Sequence, residues 1–267
     1  MRIARFALAG KDPQYGIIEL AVDGGDHPDS IATLTSDPLA GVAVNYTGER
    51  HDLDEVRLLS PVIPRSKVVA VGKNYADHAR EMGGEVTEAP LLFFKPNTSV
   101  IGPGETIIRP AGVDDLQYEG ELAVIIGRIC KQVPVERAQE VIFGYTIAND
   151  VTARDWQRSD GQWARAKGSD TFLPLGPWIN THLTLEEVGK LDIETRLNDE
   201  VRQEGSTSQM VRGVAELISY ITASMTLLPG DVILTGTPAG VGAMQPGDEA
   251  KVSITGLGTL ANPVADE

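Results

Sequence analysis

Residues 118–127 read YEGELAVIIG, a sequence that predicts a buried strand beginning with two glutamates. Side chains alternate along a strand, so Glu119 and Glu121 lie on the same face. From Leu122 onward both faces are apolar, which is typical of a strand that is covered on both sides. Two carboxylates roughly 7 Å apart repel by about 2 kcal/mol at an effective dielectric of about 20. Burial adds the cost of lost hydration, so another group is expected to offset the two charges.

Composition and charge limit the classes of partner. The chain has 267 residues, is 42% hydrophobic, and carries a formal net charge of −15. Nucleic acids and anionic membranes require a basic surface, so neither is expected as a partner. The start, MRIARFALAG, has too few apolar residues for a signal peptide, and no later apolar run is long enough to span a membrane. With a single cysteine, Cys130, this predicts a soluble cytoplasmic protein.

Two domains are predicted. Residues 1–60 form a small β-rich unit, in which YGIIELAVDGG indicates a strand followed by a turn at Gly24-Gly25. The two prolines of SPVIPRS, residues 60–66, mark a boundary. Residues 61–267 form the larger domain.

The larger domain is expected to be α+β and rich in strand. Helices are predicted at 134–142, at 208–228, and at 74–84, where Asn74 is a candidate N-cap and a Gly-Gly pair ends the helix. Extended segments are predicted at 67–72, 91–96, 105–110, 121–127, 144–150, 192–198, 231–238 and 250–256.

A divalent cation is the simplest group that would offset the two glutamates. Oxygen ligands suit Mg²⁺, Mn²⁺ or Ca²⁺, and two carboxylates on one strand face can share an ion. Asp150 adds a third carboxylate, because small residues lead up to it in FGYTIANDVTARD. The alternatives are that Glu119 and Glu121 form a solvated face and that Asp150 caps the helical turn after it.

His78 and Glu81 form a second candidate pair. They are three residues apart on a predicted helix, so they share a face. A carboxylate beside an imidazole fixes its tautomer and raises its basicity, which suits a general base. Glycines on both sides would let the helix move as a lid. The alternative is an ordinary surface pair.

Further candidates follow Asp150 in the sequence. Arg154, Gln157 and Lys167 would supply the positive charge and hydrogen bonds that an anionic substrate needs, or would simply be exposed to solvent. LTGTPAGVG, residues 234–242, is a glycine-rich loop that lacks the spacing of a P-loop or a dinucleotide motif. It could bind a small ligand or form a tight turn.

Taken in order, several segments resemble the fumarylacetoacetate hydrolase family, especially its bacterial members related to acylpyruvate hydrolase and oxaloacetate decarboxylase. The resemblance covers most of residues 60–260. It rests on GKNYADHAREMG, LLFFKPNTSVIGPG, YEGELAVIIG, GYTIANDVTARDWQ, KGSDTFLPLGPW and ELISYITASMTLLPGDVILTGTPAGVG.

The resemblance implies a mixed β-roll or sandwich with few helices, preceded by a small N-terminal β domain, and a homodimer. It also implies that residues 61–267 form a metal-dependent catalytic domain. Lys73 is a departure, since close relatives of acylpyruvate hydrolase often have arginine there. The implied site residues are the Mg²⁺ or Mn²⁺ ligands Glu119, Glu121 and Asp150, the catalytic residues His78, Glu81 and Lys167, and the substrate-binding residues Arg154, Gln157 and Thr237.

The activity implied is cleavage of a carbon–carbon bond in a small 2-oxo acid through a metal-stabilised enolate. The reaction would be hydrolysis of a 3-acylpyruvate or decarboxylation of oxaloacetate. One alternative is a reaction of aromatic catabolism, namely isomerisation of 2-hydroxyhepta-2,4-diene-1,7-dioate or decarboxylation of 5-carboxymethyl-2-oxo-hex-3-ene-1,7-dioate. A further alternative is a metal-stabilised carboxylate-binding protein without catalysis.

Overall fold

Strands dominate the fold. The computed structural model describes residues 1–21 and 28–267, so the predicted turn at Gly24-Gly25 lies outside the described residues. The strands are β1 (Arg2–Ala7), β2 (Gln14–Glu19), β3 (Ser30–Leu34), β4 (Tyr46–Asp52), β5 (Arg57–Leu59), β6 (Val68–Gly72), β7 (Leu91–Lys95), β8 (Val100–Ile101), β9 (Ile107–Arg109), β10 (Leu116–Tyr118), β11 (Gly120–Ile126), β12 (Ile142–Asn149), β13 (Thr152–Ala153), β14 (Leu173–Asn180), β15 (Asp192–Leu197), β16 (Glu200–Ser206), β17 (Val232–Leu234), β18 (Gly242–Ala243), β19 (Glu249–Ile254) and β20 (Gly258–Asp266).

The largest sheet is mixed and has β11 near its middle. Its strand order is β4-β3-β2-β1-β14-β12-β11-β17-β6-β7, with β5 beside β1 and β8 beside β14. Two smaller sheets have the orders β13-β10-β18 and β16-β15-β19-β20-β9. The predicted β-rich α+β fold is therefore confirmed.

The buried strand predicted from YEGELAVIIG is also confirmed. All seven residues of β11 are buried, because apolar groups cover both faces. Leu122, Val124 and Ile126 belong to one core cluster, and Ala123 and Ile125 belong to another. Fully burying one such aliphatic side chain contributes about 1.5–3 kcal/mol, so this strand anchors the residues at its start.

The N-terminal strands continue the same sheet. β1 pairs antiparallel with β14, with Arg2 opposite Asn180, and β2, β3 and β4 follow outward in turn. The sequence gives only weak strand signals for β3 and β4, which fill the region between residues 28 and 52. The domain boundary between residues 60 and 66 stays a prediction.

Five α-helices occur in the described part of the chain, and none of them is long and apolar enough to cross a membrane. The segment predicted as a helix at 134–142 forms a 3-10 helix at Val135–Val141 instead. The helices are α1 (Ala76–Glu81), α2 (Arg154–Ser159), α3 (Ala164–Gly168), α4 (Leu185–Val188) and α5 (Val214–Ser224).

The prediction of one helix over 208–228 is wrong at both ends. α5 begins at Val214 because Glu216 accepts the Gly213 N–H at 3.1 Å and so caps the helix at that point. Met210 lies outside the helix and forms a β-bridge with Tyr75. The middle of the prediction is correct, since Leu217 and the next apolar positions are buried in the core.

Asn74 does not cap α1, which corrects a second prediction. Tyr75 is the N-cap residue. The Asn74 amide instead donates to the carbonyls of Arg212 and Thr235 at 3.0 and 2.8 Å, because the chain before α1 packs against the segment that leads into α5. The predicted stop after α1 is confirmed, since Gly83 has a φ of 71°.

Candidate active site

Strand pairing brings the three predicted metal ligands together. Glu119 directly precedes β11, Glu121 lies on it, and Asp150 directly follows the neighbouring strand β12. The Asp150 N–H donates to the Glu119 carbonyl at 2.8 Å, which joins the two strand ends. All three side chains are buried, and one oxygen from each lies within 4.8 Å of the others. The alternatives of a solvated face and of a helix cap therefore do not describe these residues.

Buried cations surround two of the three carboxylates. The Lys167 ammonium donates to Glu119 and to Asp150, each at 2.7 Å, and the Arg154 guanidinium donates to Glu119. Burial would raise the pKa of Glu119, but the positive charges of Lys167 and Arg154 outweigh it and hold that pKa well below its usual range. Glu119 is therefore ionised at neutral pH.

Lys95 belongs to this cluster, although sequence reasoning did not select it. It ends β7, and its fully buried ammonium donates to Asp150. Burial lowers its pKa, while the Asp150 charge acts in the opposite direction. A lysine immediately after the apolar run LLFF was the signal that could have identified it, because an ionised side chain that is buried beside apolar residues needs a partner.

Glu121 is the carboxylate that lacks such compensation. Among the described residues it accepts one hydrogen bond, from the Gly236 N–H at 2.7 Å. Burial raises its pKa well above the usual range, and the negative charges of Asp150 and Glu119 raise it further. Three carboxylates that crowd together in this way are a hard-oxygen donor set that fits a divalent cation.

His78 and Glu81 meet as predicted, on α1. The His78 Nδ1 lies 3.3 Å from a Glu81 carboxylate oxygen. Glu81 also accepts the Gly240 N–H at 3.1 Å, which ties α1 to the glycine-rich loop 234–242. His78 is only 6% exposed, so the alternative of an ordinary surface pair does not describe it.

One cavity of about 230 Å³ joins most of the candidates. Gln157 accepts from Arg154 at 2.8 Å, and the Thr237 hydroxyl donates to the Gly120 carbonyl at 2.8 Å. Glu81 supports His78 but does not itself line the cavity. The candidates that line it are His78, Glu119, Glu121, Asp150, Arg154, Gln157, Lys167 and Thr237.

A mixed β-sheet that presents three buried carboxylates, ringed by lysine and arginine, defines a class of enzyme centre suited to a divalent metal. Residues 67–265 match the family profile described as fumarylacetoacetate (FAA) hydrolase C-terminal. Residues 1–61 match the profile described as Rv2993c-like, N-terminal. The chain therefore belongs to the fumarylacetoacetate hydrolase family, which confirms the resemblance drawn from its sequence. Enzymes of this family use divalent metals.

Two relatives illustrate the range of the family. Protein Rv2993c of Mycobacterium tuberculosis is 48% identical over 266 residues, which cover 99% of this chain and 98% of that protein. Oxaloacetate tautomerase YisK of Bacillus subtilis is 41% identical over 225 residues, which cover 80% of this chain and 75% of that enzyme.

Solved structures agree over the full length of the chain. The 5-carboxymethyl-2-hydroxymuconate delta-isomerase from Mycobacterium smegmatis aligns with a TM-score of 0.89 and 47% identity, and the alignment covers 100% of both chains. Maleylpyruvate hydrolase from Sphingobium sp. SYK-6, in complex with manganese(II) and pyruvate, aligns with a TM-score of 0.79 and 31% identity, covering 100% of this chain and 99% of that one.

Proposed function

We propose that this protein catalyses keto–enol interconversion of a small 2-oxo acid with the help of Mg²⁺ or Mn²⁺, and that oxaloacetate is the first substrate to test. The observation that carries the proposal is the convergence of three buried carboxylates, Lys167 and His78 on one small cavity. The tautomerase activity named for a relative supports this chemistry, and the manganese and pyruvate in a structural neighbour, a maleylpyruvate hydrolase, support a metal and a 2-oxo acid as ligands.

The donor set fits a divalent metal, with Glu119, Glu121 and Asp150 as its ligands. When bound there, the cation supplies Lewis acidity that stabilises negative charge on the oxygen of an enolate. Lys95, Lys167 and Arg154 equal the three carboxylates in formal charge, although their ion pairs are with Glu119 and Asp150 and not with Glu121. The centre with its metal is therefore positive, which suits an anionic substrate in an otherwise acidic protein.

His78 is proposed as the group that moves the proton. Glu81 engages Nδ1, which leaves Nε2 as the ring nitrogen proposed to exchange a proton with the substrate. In the forward direction His78 removes a proton from C3 of the keto acid and returns that proton to the C2 oxygen to give the enol. The reverse sequence restores the keto form, so no atom is gained or lost.

Lys167 and Arg154 are proposed to hold the substrate carboxylate. Both are buried beside Glu119 and both line the cavity. Since His78 lines the same cavity, a substrate held by these two cations would lie beside it. Gln157 and Thr237 complete the wall around the substrate.

Cleavage of a carbon–carbon bond is the second candidate, and the contact between His78 and Glu81 favours it. A histidine oriented by a carboxylate can also activate water. Water attack on the C4 carbonyl of a 3-acylpyruvate would break the C3–C4 bond, while loss of CO₂ from oxaloacetate would need no water. Isomerisation of a dienoate is the corresponding option for aromatic catabolism and is the type of activity named for a structural neighbour.

A substrate panel with and without EDTA tests both candidates. Purified protein with Mn²⁺ should accelerate the decay of enol-oxaloacetate absorbance, and EDTA should abolish the effect. The same samples, analysed for pyruvate, CO₂ and acylpyruvate products, separate tautomerisation from cleavage. Activity that is insensitive to EDTA would contradict the metal assignment, and conversion of a catabolic dienoate alone would contradict the choice of substrate.

His78→Gln separates an enzyme from a carboxylate-binding protein. We expect turnover to fall by roughly 10²–10⁴-fold, the usual contribution of a positioned acid or base, while binding of oxalate and Mn²⁺ persists. His182→Gln is the matched control because His182 is exposed and lies outside the cavity. A chain that binds oxalate in both variants and never turns over any 2-oxo acid would be a binder.

The homodimer and the cytoplasmic location stay predictions. Light scattering coupled to gel filtration tests the first, and fractionation of the source cells tests the second.

A further inference from the structure

Lys73 differs from the other cations that line the cavity. Arg154 and Lys167 contact Glu119, and Arg158 pairs with Asp115 at 2.6 Å. Across residues 1–21 and 28–267, no carboxylate lies within ion-pair distance of the Lys73 ammonium and no hydrogen bond occupies it. The cavity's basic side chains are Lys73, Arg154, Arg158 and Lys167.

The backbone at Lys73 is held in an unusual conformation. Its φ is 57°, in the left-handed region that residues with a side chain rarely adopt. The next residue, Asn74, fixes this turn through its bonds to the carbonyls of Arg212 and Thr235. Unfavourable backbone angles that neighbours enforce are concentrated at functional sites, and here they place the lysine at the cavity between β6 and α1.

Gly84 leaves room for the Lys73 side chain. A Cβ added at Gly84 would lie 2.8 Å from the Lys73 Nζ, so a larger residue would displace the ammonium. The charge therefore lies beside the end of α1, the helix that carries His78. Apart from the three proposed metal ligands, no acidic side chain lines the cavity in the described part of the chain.

We propose that Lys73 binds a second carboxylate of the substrate and thereby selects 2-oxo dicarboxylic acids over 2-oxo monocarboxylic acids. The proposal rests on the proposed function, in which Lys167 and Arg154 would hold the carboxylate next to the reacting carbon. An unpaired ammonium at the same cavity then provides a charge-assisted hydrogen bond to the far end of a diacid. A cavity of about 230 Å³ limits the substrate to a small acid.

The test compares a diacid with a monoacid in three proteins, each with Mn²⁺. Wild type, Lys73→Met and Lys73→Arg are assayed with oxaloacetate and with 2-oxobutanoate, the latter by exchange of its C3 protons with D₂O. We expect Lys73→Met to raise the KM for oxaloacetate by about 10-fold or more and to leave kcat and 2-oxobutanoate exchange within about 2-fold of wild type. Lys73→Arg should restore the KM for oxaloacetate.

Calorimetric binding of oxaloacetate and 2-oxobutanoate to the same Mn²⁺-loaded proteins separates the two proposals. If wild type prefers the diacid and Lys73→Met loses that preference without any turnover, the proposed function fails and the role of Lys73 stands. The role of Lys73 would be overturned, whatever the turnover, if Lys73→Met lost affinity for both acids equally or for neither. It would also be overturned if wild type bound both acids with equal affinity.

Discussion

The two ends of one strand pair hold buried carboxylates in opposite environments. β6 and β17 lie side by side and parallel. At the start of the pair, Asp231 accepts from the side chains of Ser66 and Lys67, and from the backbone N–H groups of Ser66, Lys67 and Leu228. Beyond the far end, Glu121 accepts one N–H, from Gly236.

The pKa values of the two carboxyl groups move in opposite directions for this reason. Burial would raise the pKa of Asp231, but the bonds from Ser66, Leu228 and Lys67 outweigh it and lower the pKa. The pKa of Glu121 is raised by burial and by its acidic neighbours. A carboxylate that the fold fully satisfies is structural, whereas one that the fold leaves crowded needs a ligand from outside.

Glu121→Gln gives the largest expected effect. Loss of one of three ligand carboxylates should lower the Mn²⁺-dependent kcat/KM by about 10³-fold, the scale associated with losing electrostatic stabilisation at a reacting centre. The metal-free variant should be at least as stable as metal-free wild type, because an amide removes repulsion and can still accept from Gly236. Steady-state kinetics and urea unfolding check the two parts. A variant that kept its activity, or that unfolded much more readily without metal, would make Glu121 a structural residue.

Asp231→Asn should behave in the reverse way. Removing the charge leaves Lys67 without its ion-pair partner and disturbs several hydrogen bonds, which should lower the free energy of unfolding by about 3 kcal/mol. The kcat of the folded protein should not change, since Asp231 does not line the cavity. Urea unfolding gives the measurement, and Asp54→Asn, at an exposed position, is the control. If the folded Asp231→Asn variant lost most of its kcat, Asp231 could no longer be called a purely structural residue in contrast to Glu121.

Added metal should stabilise the protein through the site that contains Glu121 and not through Asp231. A ligand that binds only the folded state at 100 times its dissociation constant adds about 2.7 kcal/mol to the free energy of unfolding. Mn²⁺ should produce a shift of that size in wild type and in Asp231→Asn, and almost none in Glu121→Gln. Thermal unfolding across a Mn²⁺ titration checks this. Equal shifts in all three proteins would place the metal elsewhere.

The sequence predicts β11, the strand that carries Glu121, because its signals are local. Alternation marks β11 and places Glu119 and Glu121 on one face at the start of an apolar strand, while the choice between a metal site and a solvated face needed the structure. Asp150 could be added because it ends the strand that follows along the chain, and β12 pairs directly with β11. Strand alternation and the pairing of consecutive strands are therefore enough to predict these three carboxylates.

The contacts of Lys95 and Asp231 cannot be predicted from local sequence patterns. Lys95 meets Asp150 from a strand 55 residues earlier in the chain, and β7 is separated from β12 by three other strands of the sheet. The Asp231 site joins residues 164 and 165 positions apart. No period or turn signal encodes such contacts, since they depend on strand order. The misplaced cap at Asn74 has the same origin, because its amide bonds to backbone far along the chain.

The smallest expected effect is the change with pH in how much Asp231 contributes to the free energy of unfolding. Because the folded-state pKa of Asp231 is lowered, its contribution to stability is complete above the unfolded pKa of about 3.9 and is lost as pH falls through the folded value. The difference in unfolding free energy between wild type and Asp231→Asn should therefore be constant from pH 5 to 7, to within about 0.5 kcal/mol, and should shrink below about pH 4. Urea unfolding at stepped pH measures it. A difference that widened in acid would mean that Asp231 is protonated in the native state, and the two ends of the strand pair would then be alike.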